Sequence, residues 1–161
     1  MGQLLKLKSL TFTSLDGEFP VNFCFIVSLE AIDLGYSNFT DFPEEVAYLT
    51  NLKSVKLNFN ENLHLKGVFR KLSKISSLMS LDLSFCKLDE IPEEIALLDQ
   101  IEHLNLSGCH LRGLPVHIED MISLKSIDIS HNQFKEMPPE IAGIPNLQTI
   151  KTDQGVIQVD N

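Results

Sequence analysis

No run of apolar residues approaches the roughly 18 that a membrane-spanning helix needs. The opening stretch MGQLLKLKSLTF has neither the basic head, nor the long apolar centre, nor the small-residue cleavage site of a secretory signal. The three cysteines include no CxxC pair, which argues against a disulfide framework and a cysteine-rich zinc site. No glycine-rich phosphate loop is present, and no cofactor is expected. Basic residues are few: 13 Lys and Arg stand against 22 Asp and Glu, a net charge of −9. The imbalance lies in residues 76–161, because residues 1–75 carry eight of each sign. A surface of that sign repels polyanions, so nucleic acid is not an expected partner, and without an apolar span neither is a membrane. What remains is ordinary globular composition, 43% apolar and 22% charged over 161 residues, the size of one domain. An intracellular, cytoplasmic location is expected.

The dominant feature is internal repetition. LEAIDLGYSNF begins at Leu29, LKSVKLNFNEN at Leu52, LMSLDLSFCKL at Leu78, IEHLNLSGCHL at Ile101 and LKSIDISHNQF at Leu124. An early copy starts at Leu7 and a worn one at Leu147, giving about seven copies in a single domain over residues 1–161. Positions 1, 4, 6 and 11 of each copy are apolar, and position 9 is Asn, Cys or Ser. A second motif follows at 42–49 (FPEEVAYL), 91–98 (IPEEIALL), 114–121 (LPVHIEDM) and 137–144 (MPPEIAGI). Alternation at positions 4 and 6 is the period of a strand, and the spacing of Ile91, Ile95 and Leu98 is that of a helical turn. One strand plus one turn cannot cover its own apolar edge, so the copies must stack, with strands about 4.8 Å apart in a parallel sheet. Proline at 43, 92, 115 and 138 falls at the entry to the second turn, where a missing N–H is tolerated.

These motifs resemble the leucine-rich repeat family, and the LPxxIxxL half resembles its 23-residue subclass of Ras-suppressor-like and bacterial proteins. The resemblance implies an α/β fold: a right-handed solenoid, or horseshoe arc, with a parallel concave β-sheet and short helical or 3₁₀ turns on the convex side. It implies that position 9 (Ser37, Asn60, Cys86, Cys109, Asn132) points inward and hydrogen-bonds the backbone of neighbouring turns, so Cys86 and Cys109 read as buried ladder residues. Cys24 falls where other copies carry Ala47, Ala96 and Ala142.

The third copy spans 26 residues and lacks the proline. Val68, Leu72 and Ile75 form one helical stripe there, and Lys66, Arg70, Lys71 and Lys74 are expected on the outward face. That face is either a solvated helix surface or a basic docking patch for an acidic partner. At the start, Leu4, Leu5 and Leu7 run into the first copy without a polar capping helix. This reads as a piece of a longer protein or as an end that a partner covers.

Positions 3, 5, 7, 8 and 10 are expected to face solvent on the concave side. Position 3 is small and mostly polar, apart from His103. Position 5 alternates in charge through Asp33, Lys56, Asp82, Asn105 and Asp128. Position 8 places Tyr36, Phe59 and Phe85 in three successive copies, followed by Gly108 and His131. Aromatics flanked by charges have the composition of a binding hot spot. The alternative is that the rings fold over the strand edge and pack on the next loop. Histidines at 64, 103, 110, 117 and 131 lack the spacing of a metal site, and no Ser–His–Asp or Cys–His set is supported. The reading is a non-catalytic module that binds a protein partner through Tyr36, Phe59, Phe85, Asp33, Lys56, Asp82, His103, Asn105, Asp128 and His131. The alternatives are the recognition domain of a larger signalling or effector enzyme and, more weakly, self-association through the uncapped N-terminal end. A monomer is expected, with an end-to-end dimer as the other option.

Overall fold

A computed structural model describes residues 6–159. The repeats stack as the spacing requires. Strands β1 (Ser9–Thr11), β3 (Ala31–Asp33), β5 (Ser54–Lys56), β6 (Ser80–Asp82), β7 (His103–Asn105), β8 (Ser126–Asp128) and β9 (Thr149–Thr152) pair in parallel in that order. The register aligns position 3 with position 3 throughout: Ser9 with Ala31, Ser54 with Ser80, His103 with Ser126. Each strand before β9 covers positions 3–5 only, so a single side chain, at position 4, points into the core, and β9 runs one residue further. Ile32, Val55, Leu81, Leu104, Ile127 and Ile150 are buried there, joined at position 6 by Leu34, Leu57, Leu83, Leu106 and Ile129.

On the opposite side the chain forms 3₁₀ turns at Val21–Phe25, Glu44–Tyr48, Glu93–Leu97, Val116–Asp120 and Pro139–Gly143. An extended proline precedes four of them and Pro138 the fifth. The first of these, Pro20, belongs to a copy whose second half the motif did not reveal. The third residue of four turns, Val46, Ile95, Ile118 and Ile141, is buried and fastens the turn to the core. In the 26-residue copy the extra length makes a true helix, α1 (Leu65–Leu72), with Leu65, Val68, Phe69 and Leu72 buried. Gln100 of the next copy closes its C-terminal end by donating from Nε2 to the carbonyls of Leu72 and Ile75, at 3.2 and 3.3 Å.

The two ends differ from the repeat pattern. Near the start, Phe12, Phe19, Phe23, Phe39 and Phe42 interlock with centroid separations of 4.8–6.2 Å. This cluster fills the first two copies with aromatic rather than aliphatic volume. A small parallel pair, β2 (Asp16–Gly17) with β4 (Asn38–Phe39), joins the same two copies. Leu4 and Leu5 lie outside the described residues; Leu7, Leu10 and Leu15 are partly buried against the core. At the other end, the segment expected as a worn copy is the first arm of a hairpin. The chain reverses after Thr152 and returns as β10 (Gly155–Gln158), antiparallel to β9. Thr152 stands where a core Leu is expected because its hydroxyl is used in that reversal, bonding Gly155 O at 3.1 Å and Gln154 N at 3.2 Å.

Position 9 forms the inward ladder. Asn60 Nδ2 donates to Leu34 O and Leu57 O at 2.8 and 2.9 Å, while its Oδ1 accepts from Phe39 N at 2.8 Å. Asn132 repeats the pattern with Leu106 O, Ile129 O, Cys109 N and Leu111 N. Cys86 and Cys109 hold the same place with a thiol that reaches Leu57 O and Leu83 O at 3.1 and 3.0 Å. All three cysteines are free and buried. Burial pushes the Cys86 thiol up to about 12 and the Cys24 thiol to about 11, and raises Cys109 as well. At pH 8 the folded protein should therefore expose no thiolate to a disulfide reagent such as DTNB, and should release all three thiols only after denaturation. Rapid labelling of the native chain would show that the ladder opens locally.

Candidate functional site

The side chains left over once the core and the ladder are assigned converge on the concave sheet and on the turn that leaves it. A shallow hollow of about 360 Å³ lies over the sheet, lined in part by Lys56, Asp82, His103, Asn105, Asp128 and Lys151. Its floor is the position-3 column, small except at His103, whose Nδ1 lies 2.7 Å from Ser126 Oγ. Lys151 pairs with Asp128 at 2.8 Å. Burial alone would raise the Asp128 carboxyl, but its bonds to Lys151 and Ser130 outweigh that and hold it below the ordinary range.

Four of the polar residues expected to meet a partner have a nearer task. Asp33 Oδ1 accepts from Gly35 N at 3.0 Å, Asp82 Oδ1 from Ser84 N at 2.9 Å, Asn105 Oδ1 from Ser107 N at 3.0 Å, and Asp128 Oδ1 from Ser130 N at 3.0 Å. Each is a side-chain cap on the backbone two residues on, which bends the chain off the strand. Sequence signals for it were present: DLGY, DLSF, NLSG and DISH all put Asp or Asn two places before a small residue. Position 7, expected in solvent, is instead mostly turned inward; Gly35, Ser84, Ser107 and Ser130 are buried. The bend leaves position 8 in the left-handed region in five successive copies, at φ 55° for Tyr36, 59° for Phe59, 57° for Phe85, 67° for Gly108 and 57° for His131. The position-8 N–H groups still bond across copies, Tyr36 N to Asn58 O at 3.0 Å and Phe85 N to Ser107 O at 2.8 Å.

The three aromatics stack on one another. Tyr36 lies 4.3 Å from Phe59 at an interplanar angle of 14°, and Phe59 lies 4.8 Å from Phe85 at 7°. The ladder ends on Gly108, where a Cβ would come within 2.5 Å of Phe85 Cε1. The rings remain accessible, at 67% for Tyr36, 37% for Phe59 and 41% for Phe85. They thus do pack along the rim of the sheet, ring upon ring, yet keep a surface free. His131 stands apart, its Nδ1 3.1 Å from Asp153 Oδ1 and its N–H bonded to the same oxygen at 2.6 Å. Lys56, at the one position 5 that is neither Asp nor Asn in these copies, forms no ion pair among the described residues.

The cations of α1 and of the turn that follows it are mostly engaged. Lys71 is half-buried, not outward, and meets Asp41 at 2.6 Å; Arg70 meets Glu94 at 2.9 Å and Lys74 meets Glu44 at 2.5 Å. Lys66 alone of the four lacks an ion pair among the described residues. The helix thus spends its charge on the carboxylates of the flanking turns. Among the described residues, no group of three or more His, Cys, Asp or Glu side chains is placed to hold a metal, and no helix is long and apolar enough to cross a membrane.

A sequence model of the leucine-rich repeat matches residues 77–98, 100–121 and 123–144, three consecutive copies of this stack. The fold is a leucine-rich repeat solenoid. No curated protein matches the chain by sequence. Among solved structures, the solenoid is similar to an internalin of Listeria monocytogenes (TM-score 0.67, 22% identity, covering 91% of this chain and 42% of the internalin). It is also similar to Toll in the Toll–Spatzle complex of Drosophila (0.66, 18% identity, 81% and 18%). A third likeness is to the leucine-rich repeat domain of the type III effector XopL (0.60, 24%, 80% and 44%). The chain therefore spans less than half the length of each, and at these identities the likeness carries the fold of the solenoid.

Proposed function

We propose that this leucine-rich repeat solenoid is a non-catalytic recognition module that binds a protein partner across the concave sheet and the aromatic rim beside it. The carrying observation is that three large rings stay accessible at a backbone position that penalises them. A left-handed non-glycine residue costs about 1–2 kcal/mol, and Gly108 shows that the position accepts glycine. Rings kept there against that cost offer a rigid, already ordered surface, so little conformational entropy is lost on association. The Toll–Spatzle complex, whose solenoid is similar in fold to this one, supports the same use. The proline-led turns support placing the copies in the 23-residue LPxxIxxL subclass.

Asparagine tolerates the left-handed region, so Tyr36→Asn/Phe59→Asn/Phe85→Asn is the discriminating variant. Lost stacking, about 1 kcal/mol per pair, is offset by relieved backbone strain, so the melting temperature should change by only a few degrees. Partners captured from lysate of the parent cells should bind the variant at least 30-fold more weakly, a loss of about 2 kcal/mol. Hydrogen exchange of the captured complex should show protection at β3, β5 and β6. Protection confined to the convex turns would overturn the reading.

A further inference from the structure

The aromatic ladder is closed at one end and open at the other, and the open end is acidic. Phe85 rests on Gly108 and Phe59 lies between its two neighbours, so neither offers a whole ring face. Tyr36 does: the position-8 residue of the preceding copy is Ser14, whose short side chain bonds Thr13 O at 2.7 Å and leaves the outer side of the phenol ring uncovered. Three carboxylates belong to the same two copies. Asp33 lies three residues before Tyr36. Asp16 is joined to Asn38, two residues after Tyr36, by register and by a 2.6 Å side-chain bond. Glu18 follows Asp16 by two. None of the three carries an ion pair among the described residues, in contrast to Glu30, which is held by Lys8 and Lys53 at 2.5 and 3.0 Å. Asp33 uses Oδ1 to accept from Gly35 N, and among the described residues no bond occupies its other oxygen.

A flat π face in the same two copies as three carboxylates without ion pairs among the described residues suits one side chain above others. We infer that Tyr36 is the docking platform for an arginine of the partner, its guanidinium stacked on the phenol ring as a fourth rung with N–H groups turned to Asp33 and Asp16. A guanidinium is planar, weakly hydrated and able to stack while donating in its own plane. A lysine ammonium brings the same charge but neither the plane nor the fork, and a neutral aromatic side chain would leave the carboxylates uncompensated. The inference rests on the proposed recognition surface and specifies what that surface reads.

The test compares nonapeptides of alternating glycine and arginine, lysine or phenylalanine, titrated into the intact chain and read by calorimetry and by the ring resonances of Tyr36. Equal charge on the first two cancels non-specific attraction to an acidic protein. The arginine peptide should bind at least fivefold more tightly than the lysine peptide, shift the Tyr36 ring signals, and lose that preference in Tyr36→Leu. Asp33→Asn keeps the turn cap, as Asn105 does in its own copy, and should weaken the arginine peptide about threefold without changing the melting temperature. Equal binding of arginine and lysine, stronger binding of phenylalanine, or an arginine preference that survives Tyr36→Leu would overturn the inference. If the phenylalanine peptide wins and its binding is lost in Phe59→Asn/Phe85→Asn, the broader surface stands while the arginine reading falls.

Discussion

Asn60→Leu should destabilise the chain by about 3–5 kcal/mol, because it strands three buried backbone groups at once and puts bulkier methyl groups where the amide sat. The Asn60 amide is fully enclosed and serves Phe39 N, Leu34 O and Leu57 O. Each buried group left without a partner costs about 1–3 kcal/mol, and the two carbonyls retain further lone pairs that soften their share. For a domain of this size that corresponds to a fall in melting temperature on the order of 10 °C. Urea unfolding followed by far-ultraviolet circular dichroism gives the number. Leucine is the informative replacement, since it keeps the branched shape and leaves no cavity, so the loss combines the missing hydrogen bonds with crowding of the Leu34 and Leu57 carbonyls. A loss below about 1 kcal/mol would show that the ladder is ornamental and that side-chain packing alone orders the turns.

The repeat spacing made the architecture legible at the level of residues: the strands fall on positions 3–5 of every copy, and the ladder residues, two cysteines among them, sit where the pattern put them. Legibility failed where one residue serves two purposes. Asp33, Asp82, Asn105 and Asp128 look like a solvent-facing charge column, but their carboxylates and amide cap the backbone two residues on, a local bond that repeat alignment does not reveal. Lys71 looked outward because helical phase alone cannot show that Asp41 of another copy reaches up to meet it. The terminal hairpin was hidden for a related reason: Thr152–Gly155 reads as a decayed repeat until the reversal of direction is seen. The aromatic column was visible from spacing; its left-handed backbone, which turns three surface rings into a strained and stacked ladder, was not.

That ladder yields a second large effect at a residue with no side chain. Gly108→Ala should cost about 2–3 kcal/mol, from two separable sources. Gly108 sits at φ 67°, where an alanine loses about 1–2 kcal/mol against glycine. The new methyl would also lie within 2.5 Å of Phe85 Cε1, so the ring must leave its place. Moving it forfeits the stack on Phe59, worth about 1 kcal/mol. The two sources part company in a double-mutant cycle with Phe85→Ala. Without the ring, Gly108→Ala should retain only the backbone cost, so the two substitutions together should fall short of additivity by about 1 kcal/mol, the stacking loss they share. Full additivity would mean that Phe85 does not rest on Gly108 in solution. In that case the ladder would lack its fixed lower end, and Tyr36, the outermost rung, would not be held in the orientation that presents its free face.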